Sequence, residues 1–155
     1  MDRLKRQLKV DIEADATRVF LQLTTDSSYQ KLQINERYGV TIIREGNREV
    51  PIRSAGAEQI VALSLISALN MNAVRRAPVI MDTPFGRLDP THRANVLKFL
   101  SDMTHQVVLL VHSGEIDRGG DIDRISNQID AEYVIERLSG VRSSIQKSSY
   151  LVGET

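Results

Sequence analysis

The sequence predicts an α/β fold with a mostly parallel sheet and flanking helices. Three observations carry that expectation. Two short apolar runs rich in β-branched residues, Val79-Ile80-Met81 and Val107-Val108-Leu109-Leu110-Val111, end on polar side chains, Asp82 and His112; such runs read as buried strands. Between them, Asp89 caps a helix with Pro90 at its first position, and Val96, Leu97, Leu100 and Met103 form its inward stripe. Parallel pairing needs a crossover of this kind. Ahead of both runs, Ile60 to Ala73 is apolar almost all round, as in a helix buried against a sheet. Strand ends of an open α/β sheet are where ligands bind, so Asp82 and His112 are expected to open onto one crevice.

The elements follow in the order α-β-β-α-β-α-β-(α)-β. Leu4, Leu8, Ile12, Ala16, Phe20 and Leu23 recur at three- to four-residue spacing and predict a first helix, with Asp2, Arg3, Lys5, Arg6 and Lys9 as its solvated face. Leu32/Ile34 and Val40/Ile42 alternate with polar residues and predict a hairpin around Tyr38-Gly39; Gly46-Asn47 turns the chain again. Ser54 is a good N-cap for the next helix. After the His112 strand, Ala131–Leu138 alternates and predicts one more strand. From Ser139 the chain is polar, fitting either a last hairpin through Val141–Lys147 or a loose tail.

At 155 residues the chain is the size of one domain with a real core. Lys+Arg 20 against Asp+Glu 20 leaves no global basic field to draw it to nucleic acid. There is no cysteine, hence no disulfide frame, thiol nucleophile or Cys-based zinc site, and the three histidines form no close metal-ligand pair. The charged N-terminus does not read as a secretory signal and no apolar run is long enough to span a bilayer, so a cytoplasmic protein without membrane contact is expected.

Taken alone, Asp82 also fits a turn opener, Ser54-Ala55-Gly56 an ordinary capped helix, and His112 a surface histidine. Their order and spacing carry more. Ser54-Ala55-Gly56-Ala57, then Val79-Ile80-Met81-Asp82, then Leu88-Asp89, then His112 resembles the C-terminal half of an ABC-type ATPase of the SMC-like branch, up to about Leu138. In that resemblance they are similar to the signature motif, Walker B, the D-loop and the switch histidine. Asp82-Thr83-Pro84-Phe85-Gly86-Arg87-Leu88-Asp89 most resembles the DndD-like ATPases of bacterial DNA phosphorothioation systems.

The resemblance implies ATP and Mg²⁺ as cofactors, with Asp82, Thr83 and His112 as catalytic residues and Asp82 also on the metal. Ser54, Ala55, Gly56 and Glu58 would meet the nucleotide of a second copy, and Leu88-Asp89 would cross an ATP-sandwich dimer. It also implies residues 1–25 as the end of a coiled coil, 26–138 as the C-terminal lobe of the ATPase domain, and 139–155 as a terminal hairpin or tail.

Three departures matter. Thr83 stands where most ABC ATPases carry a glutamate that polarises water, and it is no general base near neutral pH. The signature is altered, with Ala55 for a common glycine, Ala57 where Glu or Gln is usual, and Glu58 one place later. No G-x-x-x-x-G-K-[ST] phosphate cradle occurs, so a Walker A-containing N-terminal half, from the same gene or a separate chain, is an expected partner, with DNA met through the assembled complex. Three readings stay open: half of an ATPase, a clamp that dimerises on ATP with little hydrolysis, and a truncated fragment.

Overall fold

The computed structural model describes residues 2–52 and 54–148. They fall into two compact units divided between Ile116 and Asp117, a division that lies inside the expected 26–138 lobe.

The first unit opens with α1 (Asp2–Leu23), whose C-terminal half packs on α2 (Ala55–Met71) and on β1 (Tyr29–Ile34). Ala16, Val19, Phe20 and Leu23 are fully buried, whereas Leu4 is 75% exposed and Leu8 is also exposed. The expected stripe is therefore buried only over its second half.

β1 pairs antiparallel with β2 (Val40–Arg44), and β2 with β3 (Arg48–Val50), in the order β1-β2-β3. Gly46 and Asn47 both adopt positive φ in the second turn, a geometry these two residue types tolerate. As an edge strand, β1 would leave amides unpaired, but α1 supplies partners. Glu13 Oε2 accepts the Ile34 N–H (2.6 Å), and Thr17 Oγ1 accepts the Leu32 N–H (3.1 Å).

β4 (Val79–Asp82) and β5 (Val107–Leu110) pair in parallel, Val79 opposite Val107 and Asp82 opposite Leu110, with α3 (Pro90–Met103) as the crossover. Asn70 fixes the approach to β4. Its amide donates to the Ala77 carbonyl and accepts the Ala77 N–H, both at 2.9 Å. Among the described strands, parallel pairing is confined to β4 and β5, which corrects the expectation of a mostly parallel sheet: the remaining strands are hairpin neighbours joined by turns too short for a crossover. One face of the β4–β5 pair, with Met81, joins the core. The other presents Ile80 (69% exposed), Val108 and Leu110 bare. Ile66 and Leu69 of α2 are exposed as well, so that helix is not covered all round.

The second unit holds a π-helical turn (Arg118–Ile122), a single α-turn (Asp123–Ile125), a 3₁₀ turn (Ser126–Gln128), and an antiparallel hairpin of β6 (Tyr133–Ser139) and β7 (Arg142–Lys147). The hairpin runs as far as Lys147, and positions 149–155 of the expected terminal segment lie outside the described residues. No helix among the described residues is long and apolar enough to cross a membrane.

Candidate functional site

Asp82 closes β4 as an exposed side chain, and His112, also exposed, follows the end of β5 on the same edge. The Thr83 N–H donates to the Leu110 carbonyl (2.8 Å), extending the ladder one step past Asp82. Thr83 has φ +49°, a left-handed conformation that costs a β-branched residue on the order of 1–3 kcal/mol. That turn sends the chain inward: Pro84 and Phe85 are buried directly after it. Among the described residues no group of three or more His, Asp or Glu could hold a metal ion. An exposed carboxylate at a strand end still fits Mg²⁺, which takes one or two protein carboxylates and fills its other positions with water and phosphate oxygens.

A second group of residues gathers at the start of α2. Ser54 Oγ accepts the Ala57 N–H (3.1 Å), so the helix is capped as the sequence predicts. The N–H groups of Ala55 and Gly56 precede the first intrahelical bond. A Cβ on Gly56 would come within 3.1 Å of the Arg87 carbonyl. Glycine is thus what lets α2 approach the Leu88-Asp89 loop so closely.

Ser54, Gly56, Leu88 and Asp89 line one cleft of about 320 Å³. Ala55, Glu58 and Thr83 line another of about 350 Å³. Arg87 lines both. Glu58 suits the positive end of the helix dipole, yet its charge opposes an anion there, and Arg87 is a cation lining the same cleft. Asp82 and His112 line neither cleft. The sequence-predicted residues therefore form two sets, one at the strand edge and one around the N-terminus of α2, with Thr83 touching both.

Asp89 caps α3. Its Oδ1 accepts the N–H groups of Thr91 (2.9 Å) and His92 (3.0 Å), while Oδ2 pairs with His92 Nδ1. The other imidazole nitrogen, Nε2, lies 3.1 Å from Thr25 Oγ1 at the end of α1. The His92 backbone N–H, then the imidazole, hold the Asp89 carboxyl below the usual carboxylate range, with burial opposing them. A depressed folded-state pKa contributes stability that is present above the unfolded value near 3.8 and lost as pH falls through the folded one. We expect Asp89→Ala to cost about 0.5–2 kcal/mol near neutral pH, and the gap in urea midpoint from the parent chain to narrow as pH drops below about 4. A gap that stays constant down to about pH 2 would show that the carboxylate is not what caps α3.

Comparison with solved structures then places the fold. An SMC ATPase structure from work on ATP-driven dimerization and DNA-stimulated activation superposes with TM-score 0.68 at 16% identity, over 96% of this chain and 89% of that one. The SMC head domain from Thermotoga maritima gives 0.59 at 16% identity, covering 95% and 51%. An Smc head bound to the C-winged helix domain of ScpA gives 0.71 at 12%, covering 99% and 47%. The fold is that of an SMC head domain. No protein-family model matches the chain, and no curated protein matches its sequence. The chain spans most of the first of these structures and about half of the other two.

Within this SMC-head fold, several residues at the site were not singled out by the sequence. Gln59 Nε2 donates to the Pro84 carbonyl and ties α2 to the loop after Asp82. Arg87 sits inside a quoted motif, yet nothing in its spacing marks it as shared by two clefts. Thr25 meets His92 and Glu115 meets Phe85 only across long stretches of sequence.

Proposed function

We propose that this chain is the C-terminal half of an SMC-like ATPase head that binds and hydrolyses ATP with Mg²⁺ and serves DNA modification, repair or defence in the cytoplasm, nearest in kind to the DNA phosphorothioation ATPases. The observation that carries this reading is the separation of Asp82 and His112 from Ser54, Gly56 and Asp89. A single-sided pocket would gather all five. A sandwich of two heads needs one set for its own nucleotide and one for its partner's.

In this reading Asp82 offers a carboxylate oxygen to the metal, and His112 hydrogen-bonds the γ-phosphate of the same site. Ser54 and the Ala55 and Gly56 N–H groups act in trans, as positioned donors toward charge on the γ-phosphoryl group. Mg²⁺, when bound, neutralises phosphate charge. Leu88 and Asp89 meet the second copy. Residues 1–25 end a coiled coil, 26–138 form the lobe, and 139–155 are a terminal hairpin or tail. The bare face of Ile80, Val108 and Leu110 receives the Walker A-containing half, whose phosphate cradle is lacking in these 155 residues. DNA is met by the assembled complex.

Thr83 favours a second reading. With no carboxylate at the position of the usual base and a strained backbone, the head dimerises on ATP and turns it over slowly, as a clamp.

Ultracentrifugation of the chain co-expressed with a Walker A-bearing half tests both readings. ATP should double the mass of the wild-type complex, and Ser54→Arg should abolish the doubling, since a bulky cation fills the trans site. The 155-residue chain alone should hydrolyse no ATP. An ATP-driven dimer that survives Ser54→Arg would refute the trans assignment of α2.

A further inference from the structure

The ladder between β4 and β5 stops at the Thr83 N–H to Leu110 carbonyl bond, and past it the two segments share no backbone pairing among the described residues. A side chain takes over. Glu115 Oε1 accepts the Phe85 N–H (2.6 Å), and Oε2 accepts the His112 N–H (3.2 Å). One carboxylate thus holds an amide from the segment after Asp82 and an amide at the end of β5. Glu115 is 9% exposed, and Phe85 is buried beside it in the sequence-distant loop. Water is therefore a poor substitute for these bonds, and bonds to a carboxylate are stronger than neutral ones. Arg93 of α3 donates to the Glu115 carbonyl (2.9 Å), so the helix that starts at Asp89 fixes the backbone from which this side chain reaches.

We propose that Glu115 is a positioning residue: its carboxylate sets the spacing between the Asp82 segment and the His112 segment. Its effect on turnover rests on the ATPase reading above; its effect on the two amides does not. Glutamine keeps the length but only one acceptor oxygen, and alanine keeps neither.

Amide hydrogen exchange, resolved by NMR on the 155-residue chain, tests this directly. In Glu115→Ala the Phe85 and His112 amides should exchange roughly tenfold to hundredfold faster. In Glu115→Gln one of the two should recover. Amides within the β4–β5 ladder should keep their rates in Glu115→Gln, which guards against a variant that merely unfolds. Uniform acceleration across the ladder in both variants, or unchanged Phe85 and His112 amides, overturns the proposal. In the complex with the Walker A half, Glu115→Ala should lower kcat by about tenfold or more while KM for ATP changes by less than about threefold, because geometry rather than binding is lost. Glu115→Gln should restore part of kcat. An unaltered kcat beside altered exchange overturns the positioning role. A wild-type complex without turnover counts against the ATPase reading alone, and the exchange pattern still decides the role of Glu115.

Discussion

Asp82→Asn, combined with the Walker A-bearing half, is expected to lose Mg²⁺-dependent ATP hydrolysis by at least about 10²-fold, the scale at which one well-placed electrostatic group acts in a dry site. The substitution is nearly isosteric. It leaves the β4–β5 register and the Thr83 to Leu110 bond in place, because both are backbone interactions. What changes is the charge: a hard cation loses an anionic oxygen and is offered a neutral amide instead. ATP-driven dimerisation should survive, since Ser54 and Gly56 line a cleft that Asp82 does not. Steady-state turnover measured over a Mg²⁺ titration separates the possibilities. Turnover equal to wild type at all Mg²⁺ levels would remove Asp82 from the metal site, and lost dimerisation would mean that the two sets of residues are not independent.

The largest effect on stability is expected from Phe85→Ala, at about 3–5 kcal/mol. Phe85 is 1% exposed. It lies in a loop with little ladder of its own, held by the Thr83 turn, the Phe85 carbonyl accepting the Leu88 N–H (3.0 Å), and Glu115. The side chain anchors the loop from inside. Removing it leaves a cavity in the loop, with only Pro84 and Leu88 as buried apolar side chains among residues 83–88. Against the roughly 5–15 kcal/mol that stabilises a typical domain, that is a large share. Urea unfolding should show a lower midpoint with an unchanged slope. A loss below about 1 kcal/mol would mean that the loop is not packed as described.

What the sequence revealed was what is local. The Asp89-Pro90 start of α3 and the Ser54 cap of α2 depend on residues two or three apart, and both are present. The strands ending at Asp82 and before His112 were legible from unbroken apolar runs, and their parallel sense from the helix between them. β3 was not legible: Arg48-Glu49-Val50 has no pattern of its own and becomes a strand only by pairing with β2. Leu4, Leu8 and Ile66 show a different limit. A helical stripe tells which side seeks burial, not whether another element arrives to cover it. Glu115 was invisible because its partner Phe85 stands 30 residues away, and a lone glutamate in a polar segment carries no mark of that contact.

The two-stranded β4–β5 sheet has a further consequence. Among the described residues each strand is paired on one side only, so each offers a row of open amides and carbonyls along an edge whose one face is greasy. If the chain is half of a head, as proposed, two visitors would compete for such an edge, the complementary half and another molecule of the same kind. Capture by a tethered or co-synthesised half proceeds at a fixed effective concentration, whereas self-capture grows with the square of abundance. Maturation therefore wins when supply is balanced and slow, and clumping wins when this lobe is made in excess. On that reading, correct dosage would be a condition of solubility.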